Sequence, residues 1–403
     1  MLSVDYEQEY RERYKDETLK NIIIFRSGPM PENYLKGMDF DDNARALFEY
    51  ALSIKLYEKY ELVWFVKDPT EWESGFCHYE NVKFISYEDA YSDNPKKKDA
   101  YYSKLCLAKY IFMTDTYGFA LNAREDQIRI MLWHGCGFKT RLSNNSCKDK
   151  YEYMTVTGDE YAKVHARIYG LSDDQILVTG YPKVDYIFHP LQDWQKVLNV
   201  PKANKYIFWL PTFRNTQIVG LERLNLTLPT GEIGLPVIKD FHQLKELNEI
   251  LAANDTVMLI KLHPFQDPAS ICDMEGFSNI CMLAHKRLVD HDVQFNHILG
   301  YADAIISDYS SVAVDYLVLD RPIAFTLDDM ETYDKERGFV WDDVKKWLPG
   351  VEIYTYEDFT MFIESVIAGE DIGKSKRDSI SRKMQKYRDD KNSARVLKAL
   401  GIV

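Results

Sequence analysis

Short apolar runs recur along almost the whole chain, and longer stretches with helical periodicity separate them. Runs of this kind become strands that are buried on both faces, and their alternation with helices is typical of parallel sheets. In the first half the runs lie at residues 22–25, 62–66, 82–86, 110–113, 128–133, 154–157 and 176–179, and in the second half at 206–210, 257–262, 302–306 and 322–325. The pattern predicts an α/β chain of two Rossmann-like, doubly wound domains that face a cleft.

The domain boundaries follow from the length and from one change in composition. A chain of 403 residues is too long for one ordinary core and suits two domains. The charged segment 191–204, which follows Pro190 and contains Pro201, is predicted to link a domain of residues 1–190 to a domain of residues 205–380. Residues 381–403 are predicted to form a basic helix that packs back on the N-terminal domain.

Composition limits the compartment and the partners. The net charge of −13 argues against non-specific nucleic-acid binding, and no apolar run approaches the ~20 residues of a membrane span. The six cysteines form no CxxC pair and the acidic N-terminus is not a signal peptide, so a reduced, cytoplasmic chain is predicted. Residues 372–403 hold ten Lys/Arg against three acids, which leaves two interpretations open, contact with an anionic membrane surface or a solvated helix face.

A candidate phosphate seat lies where the apolar run ending at Ile306 meets a Ser/Asp turn and a helical pattern that continues through Leu319. Unpaired N–H groups and the positive end of the helix dipole attract anions at such a junction. Ser310 and Ser311 add two hydroxyl groups at the same place. The alternative interpretation is that Ser310 is an ordinary N-cap.

A histidine and two glycines follow the strand predicted at 128–133. His134 would face the cleft, and the near-neutral pKa of an ordinary histidine suits proton abstraction from a hydroxyl group. Gly135 and Gly137 allow a ligand to approach the backbone closely. The alternative is a packed histidine beside a glycine turn.

Three further polar motifs stand at predicted strand ends. His263 follows the strand predicted at 257–262, Thr212 and Arg214 follow the one at 206–210, and Lys183 lies just after the one at 176–179. A hydroxyl, a guanidinium and an ammonium group are all good phosphate ligands. Each could be a structural turn or a surface cation, but together they predict an anionic, diphosphate-bearing ligand between the domains.

No metal site is predicted. Residues 39–41 and 290–292 satisfy a DxD pattern, but both lie in acidic loops away from the strand-end motifs. Divalent-metal dependence therefore stays open at this point. A serine-hydrolase elbow and an HExxH motif are both absent from the sequence, so neither enzyme class has support.

The ordered set of motifs resembles the CDP-glycerol glycerophosphotransferase family, the teichoic-acid and capsule enzymes of bacterial cell walls. The motifs that carry the resemblance lie at residues 133–135, 180–182, 211–214, 263–264, 307–311, 315–316, 321–323 and 333–339. The resemblance implies a GT-B-like fold with an acceptor-side N-terminal domain and a C-terminal domain for the CDP donor. It implies transfer of glycerol phosphate from CDP-glycerol to a hydroxyl of a lipid-linked acceptor or growing polymer, with release of CMP.

The resemblance also assigns roles to residues. His134 is implied as the general base, and His263 is the second histidine of the catalytic group. The implied donor-binding residues are Gly135, Cys136, Gly137, Phe138, Lys183, Thr212, Arg214, Ser310, Ser311 and Asp315. No tightly bound cofactor is implied. A lipid-linked saccharide or polyol-phosphate acceptor implies a cytoplasmic enzyme that is peripheral on the inner face of the plasma membrane.

Departures from the family pattern keep alternatives open. Lys183 stands where the family has arginine, and Cys136-Gly137-Phe138 replaces Thr-Pro-Leu. A point charge binds phosphate with a geometry different from that of a guanidinium fork, so CDP-ribitol is an alternative donor. The chain resembles the shorter priming enzymes more than the polymerases. A GT-B nucleotide-sugar glycosyltransferase or epimerase and a non-catalytic nucleotide-binding protein are the other two alternatives.

Overall fold

The computed structural model describes two parallel sheets, each covered by helices. The described residues are 6–27, 37–114, 124–139, 151–214, 232–263, 265–266 and 270–403. Two α/β layers built in this way confirm the predicted fold class.

The first sheet has seven strands in the order β3-β2-β1-β4-β5-β6-β7, and all of its pairs are parallel. The strands are β1 (Lys20–Arg26), β2 (Glu61–Val66), β3 (Val82–Ser86), β4 (Ala108–Met113), β5 (Ile128–Met131), β6 (Tyr153–Val156) and β7 (Ile176–Val178). The helices of this half are α1 (Tyr6–Tyr14), α2 (Asp42–Ser53), α3 (Thr70–Phe76), α4 (Pro95–Leu107), α5 (Asp159–Tyr169) and the short α6 (Trp194–Val197). A 3-10 helix, Pro182–Phe188, follows β7.

The second sheet has six parallel strands in the order β10-β9-β8-β11-β12-β13. They are β8 (Lys205–Trp209), β9 (Thr256–Ile260), β10 (Ile280–Met282), β11 (Ala304–Ser307), β12 (Ile323–Thr326) and β13 (Val351–Ile353). The helices are α7 (Phe241–Ala253), α8 (His285–Asp290), α9 (Asn296–Leu299), α10 (Val312–Tyr316), α11 (Met330–Glu336), α12 (Tyr356–Ala368), α13 (Lys374–Met384) and α14 (Asn392–Ala399).

The order of strands reverses once in each sheet, and ligands of doubly wound folds bind outside the carboxyl ends of strands at that point. In the second sheet the reversal lies between β8 and β11, which are paired. The segments that follow these two strands carry Thr212 and Arg214 after β8, and Ser310 and Ser311 after β11. The topology therefore brings two of the predicted motifs to one crevice.

The sequence pattern missed β10 and β13. Both are three-residue strands at the two edges of the second sheet, and each contains half-buried residues. An edge strand is covered on fewer sides, so it needs no long apolar run. All the predicted runs overlap strands, with boundaries that differ by a few residues.

The predicted linker and C-terminal helix both pack against the body of the protein. Trp194 of the linker is fully buried, and its ring contacts that of Tyr206 with 5.0 Å between centroids.

The predicted single helix over 381–403 is wrong in its bounds, because α13 ends at Met384 and α14 begins at Asn392. The interruption lets Lys386 N donate to Thr157 O (2.9 Å), a tertiary bond that helix continuation would prevent. Val396 and Leu397 of α14 join the core of the first sheet. The domain boundaries themselves stay a prediction.

Ion pairs neutralise much of the basic C-terminal segment. Six of its ten cations have carboxylate partners, namely Lys374, Lys376, Arg377, Lys386, Arg388 and Arg395. Arg377 is fully buried between Asp320 and Asp371. The count of charges in the sequence therefore overstates the positive field that this segment offers to a membrane. Among the described residues, no helix is long and apolar enough to cross a bilayer.

Candidate active site

The loop after β5 carries His134 and crosses to the second half of the protein. Trp133 adopts a left-handed conformation (φ 60°), and the side chain of His134 is exposed. Farther along, Phe138 is fully buried, with its ring edge-on to Phe325 at 5.6 Å between centroids. Val340 N donates to Phe138 O (3.0 Å), so the loop is hydrogen-bonded to the second half. The predicted base therefore lies at the junction of the two halves.

Gly135 and Ser311 touch across this junction. A Cβ atom at Gly135, where φ is 157°, would lie 2.2 Å from Ser311 Oγ and 2.5 Å from Ser311 Cβ. Any side chain would therefore displace the serine. At Gly137 the nearest atom to such a Cβ would be Ser311 N, at 3.5 Å. The structure thus brings together the glycine loop and the serine pair, which are far apart in the sequence.

The serine pair stands on a shorter helix than the sequence predicted. The α-helical part, α10, has five residues, and a 3-10 turn (Leu317–Leu319) completes the predicted span. The helix dipole at the serines is accordingly weaker than expected, because few peptide groups are aligned. Val312 N lies 3.5 Å from Ser310 Oγ, a weak form of the predicted N-cap alternative. Within the described part of the chain, Ser311 Oγ has no protein hydrogen-bond partner, and both serines are half-buried.

Thr212 and Arg214 form a buried network below the serine pair. Asp308, which is fully buried, accepts hydrogen bonds from Thr212 Oγ1 (2.5 Å) and Thr212 N (2.8 Å) and pairs with Arg214 Nη1 at 2.9 Å. Asp329 accepts from Arg214 Nε (2.6 Å) and from Tyr309 OH (3.0 Å). Two carboxylates therefore neutralise the guanidinium. These two predicted donor ligands hold the loops of the crevice in place, and their polar atoms are largely engaged within the protein.

The side chains of Cys136 and Phe138 also point into the core. Cys136 Sγ lies 3.0 Å from Tyr181 OH, and burial raises the pKa of its thiol to about 11. Both side chains are fully buried. Their backbone atoms, rather than their side chains, are what the loop can offer to a ligand.

Lys183 and Asp315 meet beside His134. Lys183 Nζ donates to His134 O (2.6 Å) and lies 3.2 Å from Asp42 Oδ1 and 3.7 Å from Asp315 Oδ2. Burial raises the pKa of Asp315 to about 6, against the opposing effect of Lys183. The ammonium group predicted to contact a phosphate is thus surrounded by three acceptors of the protein.

His263 lies in the same crevice as a neutral ring. Burial lowers its pKa well below the ordinary value, and the positive charges of Lys139 and Lys261 lower it further. Phe265 N donates to His263 Nδ1 (3.1 Å), which leaves the proton of the neutral ring on Nε2. His263 is therefore placed to donate a hydrogen bond to an anion and not to act as a base.

Two lysines that the sequence interpretation did not select also face the crevice. Burial lowers the pKa of Lys139 and of Lys261 to about 8 in each case, opposed by the carboxylates of Asp308 and Asp41 respectively. Among the described residues, neither ammonium group has an ion-pair partner within 4.0 Å. A signal for Lys261 was available, since period-two alternation places it on the same side of the chain as His263.

The first turn of α2 was the other omission. Asp41 accepts from Asp42 N (2.6 Å) as the N-cap, and burial raises its pKa to about 6. Asn43 is fully buried, and its Nδ2 donates to Trp133 O (2.7 Å). The sequence shows a helix start at this point, but not which loop the helix would support.

The two DxD segments have structural partners. Asp39 Oδ2 accepts from Lys67 N (2.7 Å), Asp41 caps α2, and Asp292 pairs with Arg45 at 2.5 Å. In the part of the chain that the structure describes, no group of three or more His, Cys, Asp or Glu side chains is arranged to hold a metal ion.

Curated relatives of the chain are enzymes of teichoic acid synthesis. It is 27% identical over 414 residues to the teichoic acid glycerol-phosphate primase of Bacillus subtilis (strain 168), covering 94% of each chain. It is 25% identical over 339 residues to the teichoic acid ribitol-phosphate polymerase TarK of Staphylococcus aureus (strain NCTC 8325 / PS 47). That alignment covers 78% of this chain and 61% of the polymerase.

Solved structures show the same fold. The wall teichoic acid polymerase TagF superposes with a TM-score of 0.70 at 20% identity, covering 98% of this chain and 93% of that one. A histidine-to-asparagine variant of TagF soaked with CDPG gives a TM-score of 0.68 at 19% identity, covering 98% and 92% of the two chains. MnaA of S. aureus in complex with UDP gives 0.52 at 11% identity, covering 95% and 98%. These likenesses confirm the predicted GT-B-like architecture.

The sequence also matches a family profile over nearly its full length. Residues 17–401 match CDP-glycerol:poly(glycerophosphate) glycerophosphotransferase. The match confirms the predicted enzyme class, transfer of glycerol phosphate from CDP-glycerol in teichoic acid synthesis. The chain belongs to the CDP-glycerol:poly(glycerophosphate) glycerophosphotransferase family.

Proposed function

We propose that this chain uses His134 as the general base for transfer of glycerol phosphate to a hydroxyl group of a lipid-linked saccharide or polyol-phosphate acceptor. The observation that carries the proposal is the contact of Gly135 with Ser311. That contact sets an exposed histidine beside two serines at the reversal point of the second sheet. A base and an anion seat on opposite sides of one crevice are what an in-line displacement needs.

The reaction follows from this arrangement. An oxygen of the acceptor hydroxyl attacks the β-phosphorus of CDP-glycerol, and the bond from that phosphorus to the oxygen of CMP breaks. The proton of the hydroxyl passes to the imidazole of His134, and CMP leaves with the bonding electrons. An imidazole can accept this proton, and proton transfer of this kind contributes about 10²- to 10⁴-fold in rate.

The remaining residues stabilise the phosphoryl charge. Ser310 and Ser311 offer hydroxyl groups, and the backbone of residues 135–138 borders them. Lys139 and Lys261 supply positive charge, while His263 donates from Nε2. Preorganised donors of this kind cost little reorganisation when the negative charge spreads in the transition state. We assign Thr212 and Arg214 to positioning the seat through Asp308.

CDP-ribitol is a second candidate donor. The sequence identity to a ribitol-phosphate polymerase, 25%, favours it, because this is close to the 27% identity to the glycerol-phosphate primase. The likeness to MnaA concerns the fold alone, and the family match gives no support to a nucleotide-sugar reaction or to a non-catalytic role.

A lipid-linked acceptor would place the enzyme at the inner face of the plasma membrane as a peripheral protein. The basic C-terminal segment would contribute little to this association, because carboxylates of the protein pair with most of its cations. Sedimentation with vesicles that contain or lack anionic lipid tests the proposal, and absence of the enzyme from both pellets would contradict it.

Release of CMP tests the proposed function. The purified chain is incubated with a lipid-linked teichoic acid acceptor and with CDP-glycerol, CDP-ribitol or UDP-GlcNAc. The proposal predicts acceptor-dependent release of CMP from CDP-glycerol and no release of UDP. Release from CDP-ribitol alone would select the second candidate, and turnover of the UDP-sugar alone would overturn the assignment.

The two crevice lysines, Lys139 and Lys261, predict an alkaline limit for donor capture. Their pKa values near 8 mean that each ammonium group loses its proton, and its attraction for phosphate, as the pH rises through about 8. We expect kcat/KM to fall above this pH with a slope steeper than one log unit per pH unit, because two groups titrate together. Lys139→Arg keeps its charge at alkaline pH, so the slope should decrease towards one. A Lys139→Arg profile identical to that of the unmodified enzyme would contradict this role.

A further inference from the structure

The turn that carries His134 is held by two side chains on consecutive carbonyl groups. Asn43 Nδ2 donates to Trp133 O (2.7 Å), and Lys183 Nζ donates to His134 O (2.6 Å). Lys183 N also donates to Asn43 Oδ1 (3.1 Å), so the two residues contact each other, and we call Asn43 and Lys183 together the clamp. The clamp therefore joins the start of α2 and the segment after β7 to the loop after β5.

The conformation of this turn requires such support. Trp133 has a φ of 60°, a left-handed conformation that is unfavourable for a bulky residue. Strained conformations persist where the surrounding structure holds them, and they are frequent at functional sites. If the clamp were released, Trp133 could return to an ordinary conformation and carry His134 out of the crevice.

Groups of the protein engage two of the three hydrogen-bond donors of Lys183. An ammonium group has three N–H donors. His134 O at 2.6 Å and the carboxylate of Asp42, with Oδ1 at 3.2 Å, accept from it, while Asp315 Oδ2 at 3.7 Å is an ion-pair partner beyond hydrogen-bond distance. Only 12% of the Lys183 side chain is exposed. Two carboxylates beside a largely buried ammonium group offset its charge, which favours a role in holding the protein over a direct contact with a phosphate.

Asp315 contributes to the clamp from the other half of the protein. It lies in α10, directly after the serine pair, and its side chain is 1% exposed. In the described part of the chain, Lys183 is the cation nearest to its carboxylate. Lys183 therefore has one carboxylate beside it from α2 and a second one from α10, which lies in the other half of the protein.

We propose that Asn43 and Lys183 are positioning residues, which hold the backbone at Trp133 and His134 so that the imidazole faces the serine seat. The proposal rests on His134 as the base of the proposed function. It gives Lys183 a role in orienting the base and removes it from the donor contacts that its family position implied. Asp315 on α10 is the second carboxylate beside the Lys183 ammonium group, after Asp42.

The test compares Lys183→Met with Lys183→Arg. Methionine fills a similar volume and has no N–H donors, so His134 should move and kcat should fall about 10²-fold, a typical effect of misplacing a catalytic group by about 1 Å. The dissociation constant for CDP-glycerol, measured by calorimetry, should change little. Arginine retains the donors and should restore most of kcat. A large rise in the dissociation constant with an unchanged kcat would overturn the proposal and make Lys183 a phosphate contact.

Loss of Lys183 also leaves buried Asp315 without its counter-ion, so folding needs a separate control. Asn43→Ser removes the hold on Trp133 O without changing any charge and should give the same pattern, a low kcat with an unchanged donor affinity. Thermal unfolding of Lys183→Met and Asn43→Ser identifies a variant that does not fold. The kcat and donor affinity of a variant that does fold then test the proposal.

The position of His134 can also be observed without turnover. NMR of histidine-labelled protein reports each imidazole, and His134→Ala identifies the signal of His134. We expect this signal to shift in both clamp variants, while that of exposed His242 on α7 stays in place. An unmoved His134 signal in a folded variant would contradict the clamp. Because this readout needs no substrate, it stands even if the enzyme proves not to use CDP-glycerol.

Discussion

Replacing His134 by alanine should lower kcat by about 10²- to 10⁴-fold, the range that a general base contributes. The side chain is exposed at the crevice. Its loop is held by the hydrogen bond from Lys183 Nζ to His134 O and by the contact of Gly135 with Ser311. Removal of the ring takes away the group that accepts the proton of the hydroxyl. It removes none of the groups that we assign to binding CDP-glycerol. The affinity for CDP-glycerol should therefore stay almost unchanged, and calorimetry measures it beside single-turnover release of CMP.

His242→Ala is the matched control for this substitution. His242 is an exposed histidine at the start of α7, so its loss should leave both quantities unchanged. His263→Ala should behave differently again. In the proposed mechanism its neutral ring donates to the phosphoryl group, so both the affinity for CDP-glycerol and kcat should fall. A wild-type rate in His134→Ala would remove the base from the mechanism.

Replacing Gly135 by alanine should be almost as damaging, for a steric reason. The new Cβ atom would lie 2.2 Å from Ser311 Oγ, at a φ of 157° that L-residues rarely adopt. We expect the free energy of unfolding to fall by about 2–4 kcal/mol, from overpacking and backbone strain together. The serine must also move, so kcat/KM should fall by about 10²-fold as the seat and the base lose their alignment.

Two variants separate this contact from a general intolerance of the loop. Gly137 has no left-handed φ, and a Cβ atom added there would lie at an ordinary distance of 3.5 Å from the nearest atom, so Gly137→Ala should be far milder. Combining Gly135→Ala with Ser311→Gly removes both colliding atoms and should restore part of the stability, although not the donor affinity. Equal losses in Gly135→Ala and Gly137→Ala would argue against the contact.

Local patterns in the sequence predicted much of the fold and the place of the site. Apolar runs become parallel strands wherever both faces are buried, and all the runs proposed from the sequence overlap observed strands. Because the carboxyl ends of parallel strands share an edge, His134, Thr212, His263 and Ser311 could be placed at the crevice from the sequence alone.

The roles of individual side chains depended on partners that are distant in the chain. Arg214 follows a strand like a phosphate ligand, but Asp308 and Asp329 come from other loops and neutralise it. Phe138 follows two glycines like a loop residue, but its ring packs in the core against Phe325 of the second sheet. Hydrophobic periodicity and motif spacing describe one segment at a time, so they carry no information about such pairs.

The substitution of lysine for the family's arginine shows the same limit. From the sequence, Lys183 was interpreted as a phosphate ligand with a geometry different from that of arginine. That interpretation kept CDP-ribitol open as an alternative donor. In the structure its ammonium group lies among His134 O, Asp42 and Asp315, which is the basis for proposing that the change concerns the support of His134. On that proposal, groups other than Lys183 select between glycerol and ribitol.

The measurement that tests the central claim most directly is calorimetric titration of the purified chain with CDP-glycerol, CDP-ribitol, UDP-GlcNAc and CDP. The crevice has two half-buried serines and two lysines without ion-pair partners in the described chain, and we propose that these groups bind the diphosphate of the donor. The account predicts that a CDP-alditol binds more tightly than UDP-GlcNAc, and that Ser310→Ala combined with Ser311→Ala weakens this binding. Preference for UDP-GlcNAc, or an affinity for CDP-glycerol unchanged by the double substitution, would contradict it.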